Sequence, residues 1–242
     1  NAENNRLILN QGASILSGIN GGFSTNGNVK NNEVIITGAS ASTVYGGRSE
    51  NGIVESNKII LQENANSNVV VTAGQSTNGI ARQNNVTING SRFNAAAGGV
   101  SEYGDTIGNS ITIINSVQRT GAGASIVGGT TGGGNGLSEN NTVSVVNSQT
   151  TRIYGGTNTG NGTVRGNAVT VTDSTVRENV YGAYVATGLA TGNTVTIAGT
   201  TAVTGQVAGA LTQTGTATNN TVNLLGGTIN GTVWGGRAIG SS

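Results

Sequence analysis

The sequence predicts an all-β chain: a right-handed parallel β-helix of nine coils of about 27 residues, with three short strands per coil. Three observations carry this. A unit Asn-x-apolar-x-apolar starts at Asn5, Asn32, Asn57, Asn84, Asn109, Asn141, Asn167, Asn193 and Asn220, at spacings of 27, 25, 27, 25, 32, 26, 26 and 27 residues. A second unit, apolar-x-small-small, follows in each of these coils. Gly supplies 42 of the 242 residues while Pro is absent, and no stretch repeats apolar residues at the helical period. An internal period of this length is the mark of a solenoid.

The first strand is the Asn unit. Side chains alternate faces along a strand, so two columns point inward: Leu7, Val34, Ile59, Val86, Ile111, Val143, Val169, Val195, Val222 and Leu9, Ile36, Leu61, Ile88, Ile113, Val145, Val171, Ile197, Leu224. Every one is aliphatic in a chain only 34% hydrophobic. The Asn shares their parity and falls where the chain turns into the strand. A buried amide needs partners on both ends, and an Asn one rung away supplies them, so the nine Asn residues are expected to form a structural ladder.

The second strand carries Val44-Tyr45-Gly46-Gly47, Ile126-Val127-Gly128-Gly129, Ile153-Tyr154-Gly155-Gly156, Val180-Tyr181-Gly182-Ala183 and Val233-Trp234-Gly235-Gly236, with weaker forms in the other coils. The first residue is expected inward and the second outward, and the small pair to permit a tight bend or positive φ. The third strand is Gly-x-apolar, about three residues before the next Asn, as in Gly52-Ile53-Val54 and Gly162-Thr163-Val164. Parallel crossovers favour the right hand. The coil from Asn109 is the long one, and its surplus is read at Thr130 to Gly136, a Gly-rich loop. The chain starts without Met, which suggests a processed chain or a fragment of a longer precursor. Its first rung begins near residue 1 and its last stops partway round at Ser242, so open coil ends invite further repeats or other copies.

Composition narrows the function classes. With 11 basic and 10 acidic residues the net charge is +1, which gives no reason to expect nucleic acid as a partner. No apolar run approaches membrane-spanning length. Cys and His are absent, so thiolate sites and familiar nucleophile–base pairs are not expected, nor is a cofactor or metal. The tightest acidic group is Glu102 and Asp105 beside Tyr103, in a Gly-rich turn. A polysaccharide lyase or hydrolase would need carboxylates paired across one cleft, and adjacent coils do not repeat acids in register. Two outward Thr per rung, which an ice-binding face would need, occur fully only at Thr194 and Thr196.

Two outward features remain. Ile8, Ile35 and Ile60 stack on the first three rungs, beside the charge ladder Arg6, Glu33, Lys58. An exposed aliphatic stripe marks an association surface. Tyr45, Tyr154, Tyr181 and Trp234 hold the outward position before the glycines, with Arg48 and Arg237 just beyond them. Aromatic faces beside Arg suit sugar or protein recognition.

The repeated Asn-Thr-Val-x-Ile followed by Val-Tyr-Gly-Gly, clearest from Asn220 to Gly236 and close to it at Asn141 to Gly156 and Asn167 to Gly182, resembles the passenger regions of large type V autotransporter surface proteins of Gram-negative bacteria. The resemblance extends over all nine repeats. It implies an exported β-helical stalk at the cell surface with adhesion as its role, and as partner a host or bacterial surface protein or glycan. The matched motifs are structural, so no binding residue carries over, and the family's membrane barrel is not in this chain. The expectation is a non-enzymatic extracellular adhesin or stalk. The alternative is a self-assembling filament or surface-layer subunit that binds further copies of itself.

Overall fold

A computed structural model describes residues 1–67, 70–119, 121 and 124–240; the predicted end of the last rung at Ser242 lies outside these. The described residues are all-β, a solenoid of about nine coils stacked in parallel, with three faces per coil.

The Asn-x-apolar strands run Arg6–Leu9, Glu33–Thr37, Lys58–Gln62, Asn85–Asn89, Ser110–Ile114, Thr142–Val146, Ala168–Thr172, Thr194–Val203 and Thr221–Ile229. Each pairs in register with the next, so Leu7 faces Val34, Val34 faces Ile59, and so on to Val195 and Val222. Both aliphatic columns form as predicted. From Val34 to Ile197 their side chains are at most 2% exposed. Burial of each contributes about 1.5–3 kcal/mol, and the core is this increment repeated coil after coil.

The Asn ladder also forms. From Asn5 to Asn193, each Nδ2 donates to the Oδ1 of the next ladder Asn at 2.8–3.0 Å. Each backbone N–H donates to that same Oδ1 at 2.9–3.0 Å. The second Nδ2 hydrogen of Asn109 goes to the Ala81 carbonyl at 2.9 Å, and its counterparts make the equivalent bond. Every donor and acceptor of the buried amide is thus used. The residue before each ladder Asn is left-handed: Asn4, Asn31, Ser56, Gln83, Gly108, Asn140, Gly166, Gly192 and Asn219 all have φ between 53° and 65°. This conformation turns the corner, and Asn and Gly adopt it most easily.

The other two corners carry ladders the sequence reading did not anticipate. At one, the backbone N–H of Ser91, Ser116, Ser148 and Ser174 donates to the hydroxyl of the next member, ending at Thr201, at 3.0–3.4 Å. At the other, the hydroxyls of Ser49, Ser76 and Ser101 donate to the carbonyls of Gly27, Gly52 and Gly79 and accept from the N–H of Gly52, Gly79 and Gly104.

The Val-x-Gly-Gly strands run Ser14–Asn20, Ser40–Ser49, Val70–Ser76, Ala95–Ser101, Ile126–Thr131, Ile153–Asn158, Val180–Val185, Val207–Thr212 and Val233–Trp234. Their first apolar residues form one inward column from Ile19 to Val233. The small pairs have a different cause from the one predicted: from Gly46-Gly47 to Gly209-Ala210 they lie in the strand, only Gly21-Gly22 and Gly235-Gly236 fall at a bend beyond it, and none has positive φ. A Cβ on Gly74 would stand 2.3 Å from Asn84 Nδ2, and one on Gly99 2.4 Å from Asn109 Nδ2. The second Gly is small because the ladder amide fills the space across the narrow interior.

The third face is nine short strands from Ala2–Glu3 to Thr216–Thr218. A fourth, two-residue strand precedes the Val-x-Gly-Gly strand in several coils, as at Gln149–Thr150 and Thr175–Val176. The long coil is corrected as well. Phe93 faces Gln118 and Ala96 faces Ile126, so seven residues stand between Gln118 and Ile126 where two stand between Phe93 and Ala96. Most of the surplus is there, and the Gly-rich run Thr130 to Gly136 absorbs only the remainder. Fully buried Gln118 supports this departure: its Nε2 donates to the Asn94 carbonyl at 2.8 Å, and its Oε1 accepts from Thr151 N–H at 2.8 Å.

Candidate functional site

The outward positions of the Val-x-Gly-Gly strands form two adjacent columns. One runs Asn20, Tyr45, Thr72, Ala97, Val127, Tyr154, Tyr181, Ala208, Trp234. The other runs Phe23, Arg48, Gln75, Val100, Thr130, Thr157, Tyr184, Leu211, Arg237. Strand geometry makes this face: the inward residue is core, the next is out, and the Gly pair fixes which residue beyond it returns to the surface.

The six predicted recognition residues fall into two groups. Tyr45 and Arg48 stand together near the N-terminal end, the Arg48 guanidinium 5.5 Å from the Tyr45 ring. Four rungs, about 19 Å, separate Tyr45 from Tyr154. Tyr154, Tyr181, Trp234 and Arg237 lie within four consecutive coils at the other end. Tyr154 and Tyr181 rings are 5.7 Å apart, and the Arg237 guanidinium lies 5.0 Å from the Trp234 ring.

Sequence reasoning missed three members of this second group. Tyr184 packs its ring 6.0 Å from Tyr154 in an edge arrangement, a favoured aromatic geometry. Gln213 Nε2 donates to the Tyr184 hydroxyl at 2.6 Å. Gln206 Oε1 accepts from Arg237 Nη1 at 3.3 Å and from the Tyr181 hydroxyl at 3.5 Å. Tyr181, Ala208 and Leu211 form a small buried apolar cluster on this face, flanked by half-buried Tyr154 and Tyr184. Trp234 remains 37% exposed. At the margin, Arg152 Nε donates to Glu178 at 2.9 Å. Burial pushes the Tyr154 and Tyr181 phenols above their ordinary value of 10.0.

Ile8, Ile35 and Ile60 stack in register on the Asn face, and Thr87 ends the stripe. Ile8 is exposed and the other two are half-buried. Beside them Glu33 pairs with Arg6 at 2.8 Å and Lys58 at 3.5 Å, the charge ladder read from the sequence. On the third face Glu55 pairs with Arg82 at 2.7 Å and with Lys30 at 3.0 Å, which together hold its carboxyl below its ordinary value.

Glu102 and Asp105 sit in a turn with exposed Tyr103, and Asp105 Oδ1 accepts the Leu137 N–H at 2.8 Å. That carboxylate ties one coil to the next. Among the described residues, no three His, Cys, Asp or Glu cluster as a metal site would require, and no helix is long and apolar enough to cross a membrane. No family model, curated protein or solved structure matches the chain.

Proposed function

We propose that this chain is a non-enzymatic, extracellular or cell-surface β-solenoid that mediates adhesion through the face bearing Tyr154, Tyr181, Tyr184, Trp234 and Arg237. The observation that carries the reading is the gathering of these side chains on one outward face of the rod, where Trp234 is 37% exposed and Tyr154, Tyr184 and Arg237 are half-buried. Aromatic rings and Arg are the side chains that contribute most at recognition surfaces. The Asn ladder and the serine ladder ending at Thr201 hold the corners of these coils, so little conformational entropy is lost when a partner docks. Export and surface display rest on the motif resemblance to autotransporter passengers.

The test is adhesion itself. Beads coated with the chain are applied to bacterial and host cells under flow, beside beads coated with Tyr184→Ala/Trp234→Ala. Retention of the parent beads and loss with the double variant, at unchanged circular dichroism, supports the reading. Equal retention of both removes the aromatic face from it.

A further inference from the structure

The aromatic face has a chemical bias that adhesion alone does not require. The Arg237 guanidinium is held in place by two neutral groups: it stacks against the Trp234 indole at 5.0 Å and donates to Gln206 Oε1 at 3.3 Å. No carboxylate lies within ion-pairing distance of it among the described residues, as also holds for Arg48, Arg92, Arg119 and Arg177, whereas Arg6, Arg82, Arg152 and Arg165 each pair with a Glu; what sets Arg237 apart is its contact with both Trp234 and Gln206. A fixed, unneutralised guanidinium is a receptor for a carboxylate, which it can meet with two parallel hydrogen bonds. Around it are ring faces and polar groups: Tyr184, whose hydroxyl accepts from Gln213 and keeps its own hydrogen to donate, and the Gln213 and Gln206 carboxamides. The ring left open beside it is Trp234, 37% exposed, while Tyr181 is buried with Ala208 and Leu211.

We infer that this face binds a saccharide whose pyranose ring carries a carboxylate, the ring lying against Trp234 and the carboxylate meeting Arg237. The inference rests on the recognition reading above and specifies its ligand. A protein partner would find little apolar area here, since Tyr181, Ala208 and Leu211 are each at most 8% exposed. Rings flanked by amides and one guanidinium match alternating C–H faces, hydroxyls and an acid group.

Trp234 is the only Trp in the chain, so its emission reports on the site directly. The chain is titrated with tetragalacturonate, with its carboxyl-reduced neutral counterpart, and with sialyllactose. The expected result is saturable quenching by at least one acidic sugar. The uronate and sialate arms identify which acid is recognised, and the neutral counterpart binds about tenfold more weakly or less, the loss of one charge-assisted contact. Arg237→Gln loses affinity for the acidic sugar by a similar factor, and Arg165→Gln on the third face leaves it unchanged. Equal binding of the acidic and neutral tetrasaccharides overturns the inference, as does an equal loss in Arg165→Gln. Absence of binding by all three sugars overturns it too. If the coated beads still adhere in that case, the ligand assignment falls and the adhesion reading stands.

Discussion

Replacing Asn109 by Ala tests the claim that the ladder, not only the aliphatic stack, holds the coils together. Asn109 Oδ1 accepts from Asn84 Nδ2 and from the Asn84 backbone N–H, both at 3.0 Å. Its own Nδ2 donates to Asn141 Oδ1 and to the Ala81 carbonyl, both at 2.9 Å. Truncation leaves two donors of Asn84 without acceptors, and Asn84 is fully buried. At about 1–3 kcal/mol for each stranded donor, the change costs roughly 3–5 kcal/mol, a large part of a typical folding stability of about 5–15 kcal/mol. Asn109→Asp restores the acceptor but faces a carbonyl and an amide oxygen with acceptors only, so it is expected to destabilise at neutral pH and recover in part on acidification as the carboxyl takes up a proton. The assay is urea denaturation followed by circular dichroism, with exposed Thr142→Ala as control, expected within about 0.5 kcal/mol. A cost for Asn109→Ala below about 1 kcal/mol would refute the argument.

Three further outcomes are expected. Tyr154 and Tyr181 titrate above their ordinary value of 10.0 because burial disfavours the phenolate. Their contribution to stability is therefore complete below that value and lost as pH rises through the folded-state value; absorbance at 295 nm shows late phenolate amplitude that Tyr154→Phe and Tyr181→Phe each reduce. Gln83 is exposed and left-handed at φ 56°, so Gln83→Asn stabilises by about 0.5–1 kcal/mol, and a lowered urea midpoint contradicts the corner geometry. Ile35→Glu places a charge in the middle of the isoleucine stripe and is expected to weaken any self-association seen in sedimentation velocity of the parent chain, with the coil still folded; unchanged association removes that stripe as an interface.

The core was readable because two periods coincide. Val34 and Ile36 are two residues apart, and each recurs near 27 residues later, so inwardness and stacking are both visible in one dimension. The serine ladder left the same kind of trace: Ser91, Ser116, Ser148 and Ser174 each follow a ladder Asn by seven residues. It escaped notice because Ser carries no hydrophobic signal. Tyr184 was missed for a similar reason. It occupies the position of Arg48 and Arg237, one place beyond the small pair, which was read as a charge position and not as a surface column. The site of the insertion misled through composition: Gly132, Gly133 and Gly134 look like a loop, yet Gly132 and Gly133 donate to the Ser101 and Glu102 carbonyls like ordinary rungs. The smallness of the pair depends on a contact across the interior with an amide about ten residues further on, as between Gly74 and Asn84, which no local pattern records.

The hydrogen bonds between coils all point along the rod. A load applied along that axis therefore meets them coil after coil in series, not all at once. Each coil is held to its neighbour by its strand bonds and the Asn ladder, with a serine ladder added along part of the rod, and the next coil feels the force only when one lets go. A released coil of about 27 residues lengthens from one rung, about 4.8 Å, to roughly 90 Å of extended chain. A rod of this design would yield as a tether that pays out in equal steps, keeping tension nearly level while the aromatic face, built across four neighbouring coils, stays whole until its own coils are reached.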